Sequence, residues 1–262
     1  MMKYMITIIL VAFLMGCGGT SSSSDGASGG NTGKGGSMAR FAIVGDYLYT
    51  LNQRELEIFY LGSPSAPQPD SKVHVPFDVE TLFNYKGYLY IGAESGVYIY
   101  DLSTPSQPTQ VAEYTHTRSC DPVVVSNNNL AFVTLNKGST CRLNSGENTL
   151  QVLDVKNPLN PKLIKTMGMW DPKGLGIDDD NKTLFVCDGV AGLKIFDVTK
   201  FDNNETNETR VEIIAKTQTS LTKDVDCYDL IPNNGNLIVS NGDNVRQFDY
   251  TQFPMKELGQ IK

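Results

Sequence analysis

Between residues 38 and 262 short apolar stretches alternate with clusters of Gly, Asn, Pro and Ser. Residues 79–114 show the grain of the pattern. Apolar-rich runs fall at 79–85 (VETLFNY), 88–92 (YLYIG), 97–101 (VYIYD) and 109–114 (TQVAEY), and turn residues separate them. Runs of this length, rich in β-branched and aromatic residues, predict strands. No helical periodicity intervenes, so the strands are predicted to pair antiparallel.

The same phrase recurs along the chain. VYIYDLSTPSQP at 97–108 is echoed by LEIFYLGSPSAP at 56–67, LQVLDVKNPLNP at 150–161, LKIFDVTKFDNN at 193–204 and VRQFDYTQFPMK at 245–256. An upstream Leu repeats at 48, 89, 130, 184 and 237, at spacings of 41, 41, 54 and 53. Residues 38–262 thus divide into five units averaging 45 residues, the size of a four-stranded propeller blade. One blade cannot bury both of its faces, so the units are expected to pack radially. The predicted fold is all-β, a five-bladed β-propeller of four-stranded antiparallel blades at about 38–76, 77–116, 117–169, 170–219 and 220–262. The last unit supplies its own fourth strand, KELGQI at 256–261, so face packing between the first and last units is expected to close the ring.

Val152-Leu153-Asp154-Val155 with Asn157-Pro158-Leu159-Asn160-Pro161 resembles the LVIVD repeat of bacterial β-propellers, as do Ile99-Tyr100-Asp101-Leu102 and Ile195-Phe196-Asp197-Val198. The resemblance covers about 38–262 and implies a propeller, often surface-associated, without implying a reaction. Three units depart from the pattern: Tyr60 replaces the Asp in the first, and Phe201 and Phe253 replace the first proline in the fourth and fifth. The repeated Asp101, Asp154, Asp197 and Asp249 end strands, where a carboxylate accepts from an amide two residues on. They are read as turn devices, not as catalytic groups.

Residues 1–17, MMKYMITIILVAFLMGC, pair a basic flank with an uncharged apolar run, the proportions of a secretory signal. The run is too short for a mature transmembrane helix, which needs ~20 apolar residues. Leu14-Met15-Gly16-Cys17 resembles a bacterial lipobox, implying lipidation of Cys17 and membrane attachment through acyl chains. Residues 18–37 are Gly/Ser-rich and read as a tether with a reach of roughly 25 Å. Gly-Gly-Thr after Cys17 resembles the sorting pattern of outer-membrane lipoproteins. The expected location is therefore the bacterial envelope, lipid-anchored in the outer membrane.

Net charge is −7, which disfavours nucleic acid and anionic lipid as partners. The candidate chemistry gathers on one side of the predicted disc. Loops leading into first strands share a face with loops between second and third strands; this is termed the upper face. It collects Phe77, Asp78, Arg118, Cys120, Asp121, Trp170, Asp171, Lys173, Lys223, Asp224, Asp226 and Tyr228, with the insertion 136–148. Asp78, Asp121, Asp171 and Asp226 precede or start first strands and are expected near the channel mouth. They either cap strands and pair with Arg118, Lys173 and Lys223, or hold a hard cation such as Ca²⁺, with Trp170 as a stacking platform. The lower face carries Asp178–Asn181, read as a hairpin tip. Asn181, Asn204 and Asn207 sit in N-x-T sequons.

Apart from Cys17, four cysteines remain, an even number that favours disulfides in an exported chain. Sorting by face pairs Cys120 with Cys141 and Cys187 with Cys227. No nucleophile elbow, zinc helix or phosphate loop is written in the sequence, and His74 and His116 fall in or beside outer strands. The expectation is a non-catalytic, monomeric, protein-binding or scaffold module. The alternatives are carbohydrate binding at Trp170 and a metal site at the channel mouth.

Overall fold

A computed structural model describes residues 36–52, 54–63, 65–76, 78–116, 122–138, 147–178, 180, 182–203, 209–215, 227–241 and 243–262. Its strands form five antiparallel four-stranded sheets. Blade 1 holds β1 (Phe41–Val44), β2 (Tyr47–Asn52), β3 (Glu55–Tyr60) and β4 (Gln68–His74). Blade 2 holds β5 (Val79–Tyr85), β6 (Tyr88–Ala93), β7 (Gly96–Asp101) and β8 (Thr109–Thr115). Blade 3 holds β9 (Val123–Val125), β10 (Leu130–Leu135), β11 (Thr149–Asp154) and β12 (Lys162–Gly168). Blade 4 holds β13 (Leu175–Asp178), β14 (Thr183–Cys187), β15 (Leu193–Asn203) and β16 (Thr209–Ala215). Blade 5 holds β17 (Asp229–Asn233), β18 (Asn236–Ser240), β19 (Val245–Asp249) and β20 (Lys256–Ile261). The fold is the expected five-bladed propeller, and among the described residues no helix is long and apolar enough to cross a membrane.

Local chemistry sets the hairpins. Lys86-Gly87 and Asn234-Gly235 both have positive φ at two successive residues, the two-residue turn whose twist suits a hairpin. They fix the registers Tyr85↔Tyr88 and Asn233↔Asn236. The repeated Asp acts as read from the sequence in three blades. Asp101 Oδ1 accepts from the Ser103 amide at 2.5 Å, Asp154 Oδ1 from Lys156 at 2.9 Å and Asp249 Oδ1 from Thr251 at 2.9 Å.

Between successive blades lie apolar clusters. Leu56, Ile58 and Tyr49 of blade 1 pack with Leu89 and Ile91 of blade 2. Tyr90 and Ile99 pack with Val123 and Val133 across blades 2 and 3. Phe132 and Val152 meet Leu184 and Val186 across blades 3 and 4, and Phe185 and Ile195 meet Leu237 and Phe248 across blades 4 and 5. Polar ties reinforce them: Tyr49 Oη donates to the Pro105 carbonyl at 2.9 Å, and Thr134 Oγ1 to the Lys173 carbonyl at 2.6 Å.

Ring closure differs from expectation. Blade 5 does complete itself with β20, as predicted. Yet among the described residues no apolar cluster joins blades 5 and 1, and inner strand β17 does not pack on β1 as each other inner strand packs on the next. The physical reason is the side-chain pattern. β10 and β14 are buried at every position, whereas β2, β3 and β18 bury alternate residues and β19 buries Phe248 alone. A strand that alternates has one face built for exposure. In place of face packing, residues 36–40 span the two sides. Ser37, from the Gly/Ser-rich stretch, is buried there.

Candidate functional site

The first strands ring a central cavity of about 280 Å³, lined by residues of all five blades. Its upper mouth is crossed by residues 36–40. Ser37 Oγ donates to Asp229 Oδ1 at 3.2 Å and accepts from the Leu175 amide at 2.8 Å. Two residues later the Ala39 carbonyl accepts from the Leu82 amide of blade 2 at 3.0 Å. Arg40 then donates to the carbonyls of Val79 and Glu80 at 3.1 and 3.3 Å. The segment therefore links blades 5 and 4 to blade 2. Close approach requires glycine here: a Cβ on Gly36 or Gly174 would fall 2.1 or 2.2 Å from an Asp229 carboxylate oxygen. Burial raises the Asp229 carboxyl above its ordinary range, while amides of Leu230, Met38 and Ser37 and the Ser37 hydroxyl pull it down.

The carboxylate at the mouth is thus Asp229, already bonded to its own chain. Of the four Asp residues expected near the channel mouth, Asp78 and Asp171 are among the described residues. Asp171 turns its carboxylate to the Asn136 amide, 2.8 Å away, and to the Lys173 ammonium, 3.3 Å away. Asp78 lies on blade 2 at φ 60°, where its carbonyl accepts from the Glu94 amide. Arg118, Asp121 and Asp226 lie outside the described residues, as do Cys17, Phe77, Cys120, Cys141, Lys223, Asp224, Asn181, Asn204 and Asn207. Among the described residues no three His, Cys, Asp or Glu side chains converge as metal ligands.

The structure does bring Trp170, Asp171, Lys173 and Tyr228 together, at the boundary of blades 4 and 5. Their centre is Asp188, a residue the sequence reading passed over. Its buried carboxylate accepts the Trp170 and Asp171 amides at 2.9 and 2.8 Å, and Lys194 approaches its other oxygen to 3.7 Å. The Asn148 side chain donates to the Trp170 carbonyl. The backbone of Trp170 is therefore held from both sides, while the residue itself stays 68% exposed.

Asp188 also opens the turn 188–192, which carries Val190, 73% exposed. Gly189 of that turn has φ +53° and bridges to Cys227; a Cβ on it would meet the Asp171 carboxylate at 2.4 Å. Beneath it the predicted Cys187–Cys227 disulfide joins blades 4 and 5. Tyr228, 49% exposed, follows directly, with the Lys173 ammonium 5.8 Å from its ring centre. Trp170, Val190 and Tyr228 are thus exposed on segments tied to the Asp188 carboxylate and to the Cys187–Cys227 disulfide. The sequence signal for Asp188 was the Asp-Gly pair at 188–189, an ordinary turn mark.

The fold and its repeats define a β-propeller of five blades. Residues 81–116, almost all of blade 2, match the LVIVD repeat, so this chain is a propeller carrying that repeat. It is similar to the structure of a functionally unknown protein from Desulfotomaculum acetoxidans (TM-score 0.57, 15% identity, 85% of this chain and 68% of that one). A protein from Lactobacillus plantarum is similar at TM-score 0.60 and 15% identity, over 82% of this chain and 67% of that one. The β-propeller domain of Cps50 (Swd1) from Myceliophteria thermophila is similar at TM-score 0.55 and 12% identity, over 83% and 69%. Identities this low speak for the fold alone. No curated protein matches the chain.

Proposed function

We propose that this propeller is a non-catalytic protein-binding module of the bacterial envelope, and that it docks its partner on the upper face at blades 4 and 5. The observation that carries the reading is the trio Trp170, Val190 and Tyr228, exposed on immobilised backbone. Large apolar groups rimmed by polar ones mark interaction surfaces, and Trp and Tyr dominate binding energy where they occur. Fixing the backbone beforehand lowers the ordering cost of association. In this reading Cys17 carries the lipid and residues 18–35 form the tether. The tether joins the fold at Gly36, on the upper face, so the patch is presented within a tether's reach of the anchoring membrane.

The test is an affinity isolation of the full-length lipidated protein after in-cell crosslinking, with wild type beside Trp170→Ala and Tyr228→Ala. One stoichiometric protein, reduced at least about tenfold by either substitution, is the expected result. Recovery of polysaccharide without such a protein would replace this reading with carbohydrate stacking on Trp170. Recovery unaffected by both substitutions would remove the patch from the account.

A further inference from the structure

Residues 36–40 show what chemistry the channel wall accepts. Each sheet begins at its first strand, so β1, β5, β9, β13 and β17 are sheet edges lining the channel. An edge strand carries backbone N–H and C=O groups that have no ladder partner. In an antiparallel pair these fall on alternate residues. On β5 the Leu82 amide is one of them and donates to the Ala39 carbonyl; on β13 the Leu175 amide donates to the Ser37 hydroxyl. Two residues further on, with the register unbroken, the Asn84 and Ile177 amides point the same way. On β9 the Ser126 amide bonds back to Leu130, so the Val125 amide next to it points into the channel as well. Asn84, Val125 and Ile177 all line the cavity, and Val125 and Ile177 are buried. Among the described residues these three amides and the Asn84 side chain have no hydrogen-bond partner. A buried amide needs an acceptor from somewhere.

We propose that the central cavity binds an uncharged, polyhydroxylated small molecule of monosaccharide size, entering from the lower face. Among the described residues that line it, none is charged. The nearby Asp229 carboxylate is already held by Ser37 and by backbone amides. A phosphate, a carboxylate or an ammonium would lose its hydration there without a countercharge. A hydroxyl fits, because it accepts from an amide and donates to an oxygen at once. Ser37 Oγ does both, between the Leu175 amide at 2.8 Å and Asp229 Oδ1 at 3.2 Å. The Asn84 side chain adds a donor and an acceptor. The rest of the wall is apolar, and it includes the Phe41 ring, which lines the cavity yet stays 55% exposed. Such a ring can lie against the C–H face of a sugar. A volume of about 280 Å³ falls just below the ~300–1,000 Å³ of pockets for drug-sized ligands, which limits the occupant to one ring or a short polyol. Residues 36–40 cross the upper mouth. Asn127, exposed two residues past β9, lines the opposite end, so entry is from below. This site is separate from the Trp170 patch, and the inference does not rest on that reading.

The experiment titrates the full-length protein with glucose, galactose, mannose, N-acetylglucosamine and myo-inositol, and follows its backbone amides by NMR. Glucuronate, glucosamine and benzene are the controls. The inference expects at least one neutral compound to bind once per chain with a millimolar or lower Kd, shifting the amides of Asn84, Val125 and Ile177. Glucuronate and glucosamine should bind at least about tenfold more weakly. Asn84→Leu should weaken binding about tenfold with the melting midpoint unchanged, and Phe41→Ala should weaken it independently. Trp170→Ala should leave it as it is. Binding by none of the neutral compounds would overturn the inference, as would binding of benzene alone or equal binding of the charged sugars. Binding that is lost in Trp170→Ala and kept in both cavity variants would place the sugar on the upper face and refute the cavity site. Failure of partner capture at Trp170 would leave these outcomes unchanged.

Discussion

Asp229 and the repeated strand-end Asp residues are opposite uses of one side chain. Asp229 is buried, and its raised pKa means that the folded chain holds the proton more tightly than the unfolded chain. Its contribution to stability therefore grows as pH falls from neutral toward the ordinary value of 3.8, and is lost as pH rises through the raised pKa. Asp101 and Asp249 are exposed. Hydrogen bonds from Ser103 and Thr251, side chain first, lower their pKa values. Their contribution is present above the ordinary value and disappears as pH falls through the lowered one. Thermal melts from pH 3 to 8 should show Asp229→Asn flattening the dependence above 3.8, and Asp101→Asn flattening it below. Asp154→Ala, which removes one turn hydrogen bond, should cost roughly 0.5–1.5 kcal/mol by urea titration. The strand-end Asp could be read from the sequence because its partner is two residues away. Asp229 could not, because its partner Ser37 is 192 residues distant in sequence.

At the scale of the element, each blade depends on whether it has neighbours on one side or two. Phe132 in β10 is fully buried between blades 3 and 4. Phe132→Ala should cost about 3–5 kcal/mol, the range for emptying a packed aromatic site. Ile238→Ser, on the free face of blade 5, should stay within about 1 kcal/mol in the isolated protein. Equal costs at the two positions would mean that blade 5 is packed on both sides. The Cys187–Cys227 bridge closes a separation of 40 residues, and its removal in Cys187→Ser/Cys227→Ser should cost about 2–4 kcal/mol. The strands and their turns were legible because repetition revealed the unit, and clusters of Gly, Asn, Pro and Ser marked the breaks between strands. The half-exposed face of blade 1 was legible too, in ELEIFY, whose charges fall at alternate positions, in contrast to LAFVTL and TLFVC. The expectation of closure followed from counting blades and ignored what each face carried.

At the scale of the molecule, the five blades act as a rigid support that offers an upper face, a central cavity and a seam. The upper-face residues Trp170, Asp171, Lys173 and Tyr228 could be sorted to one side from strand order alone. What sequence could not supply was the centre that holds them, since Asp188 reaches back across the hairpin to the loop before β13. Nor could it place Ser37 over the channel, because a Gly/Ser-rich stretch shows no apolar pattern to mark it as folded. The account rests most heavily on Trp170 being covered when the partner binds. Trp170 is the one tryptophan in the chain, so its fluorescence reports that contact alone. The measurement is its emission and acrylamide quenching in the purified protein, titrated with the crosslinked partner under tryptophan-selective excitation, using a partner segment free of tryptophan. The account predicts a blue shift and protection from quenching that saturate with binding. Binding that leaves both unchanged would contradict it.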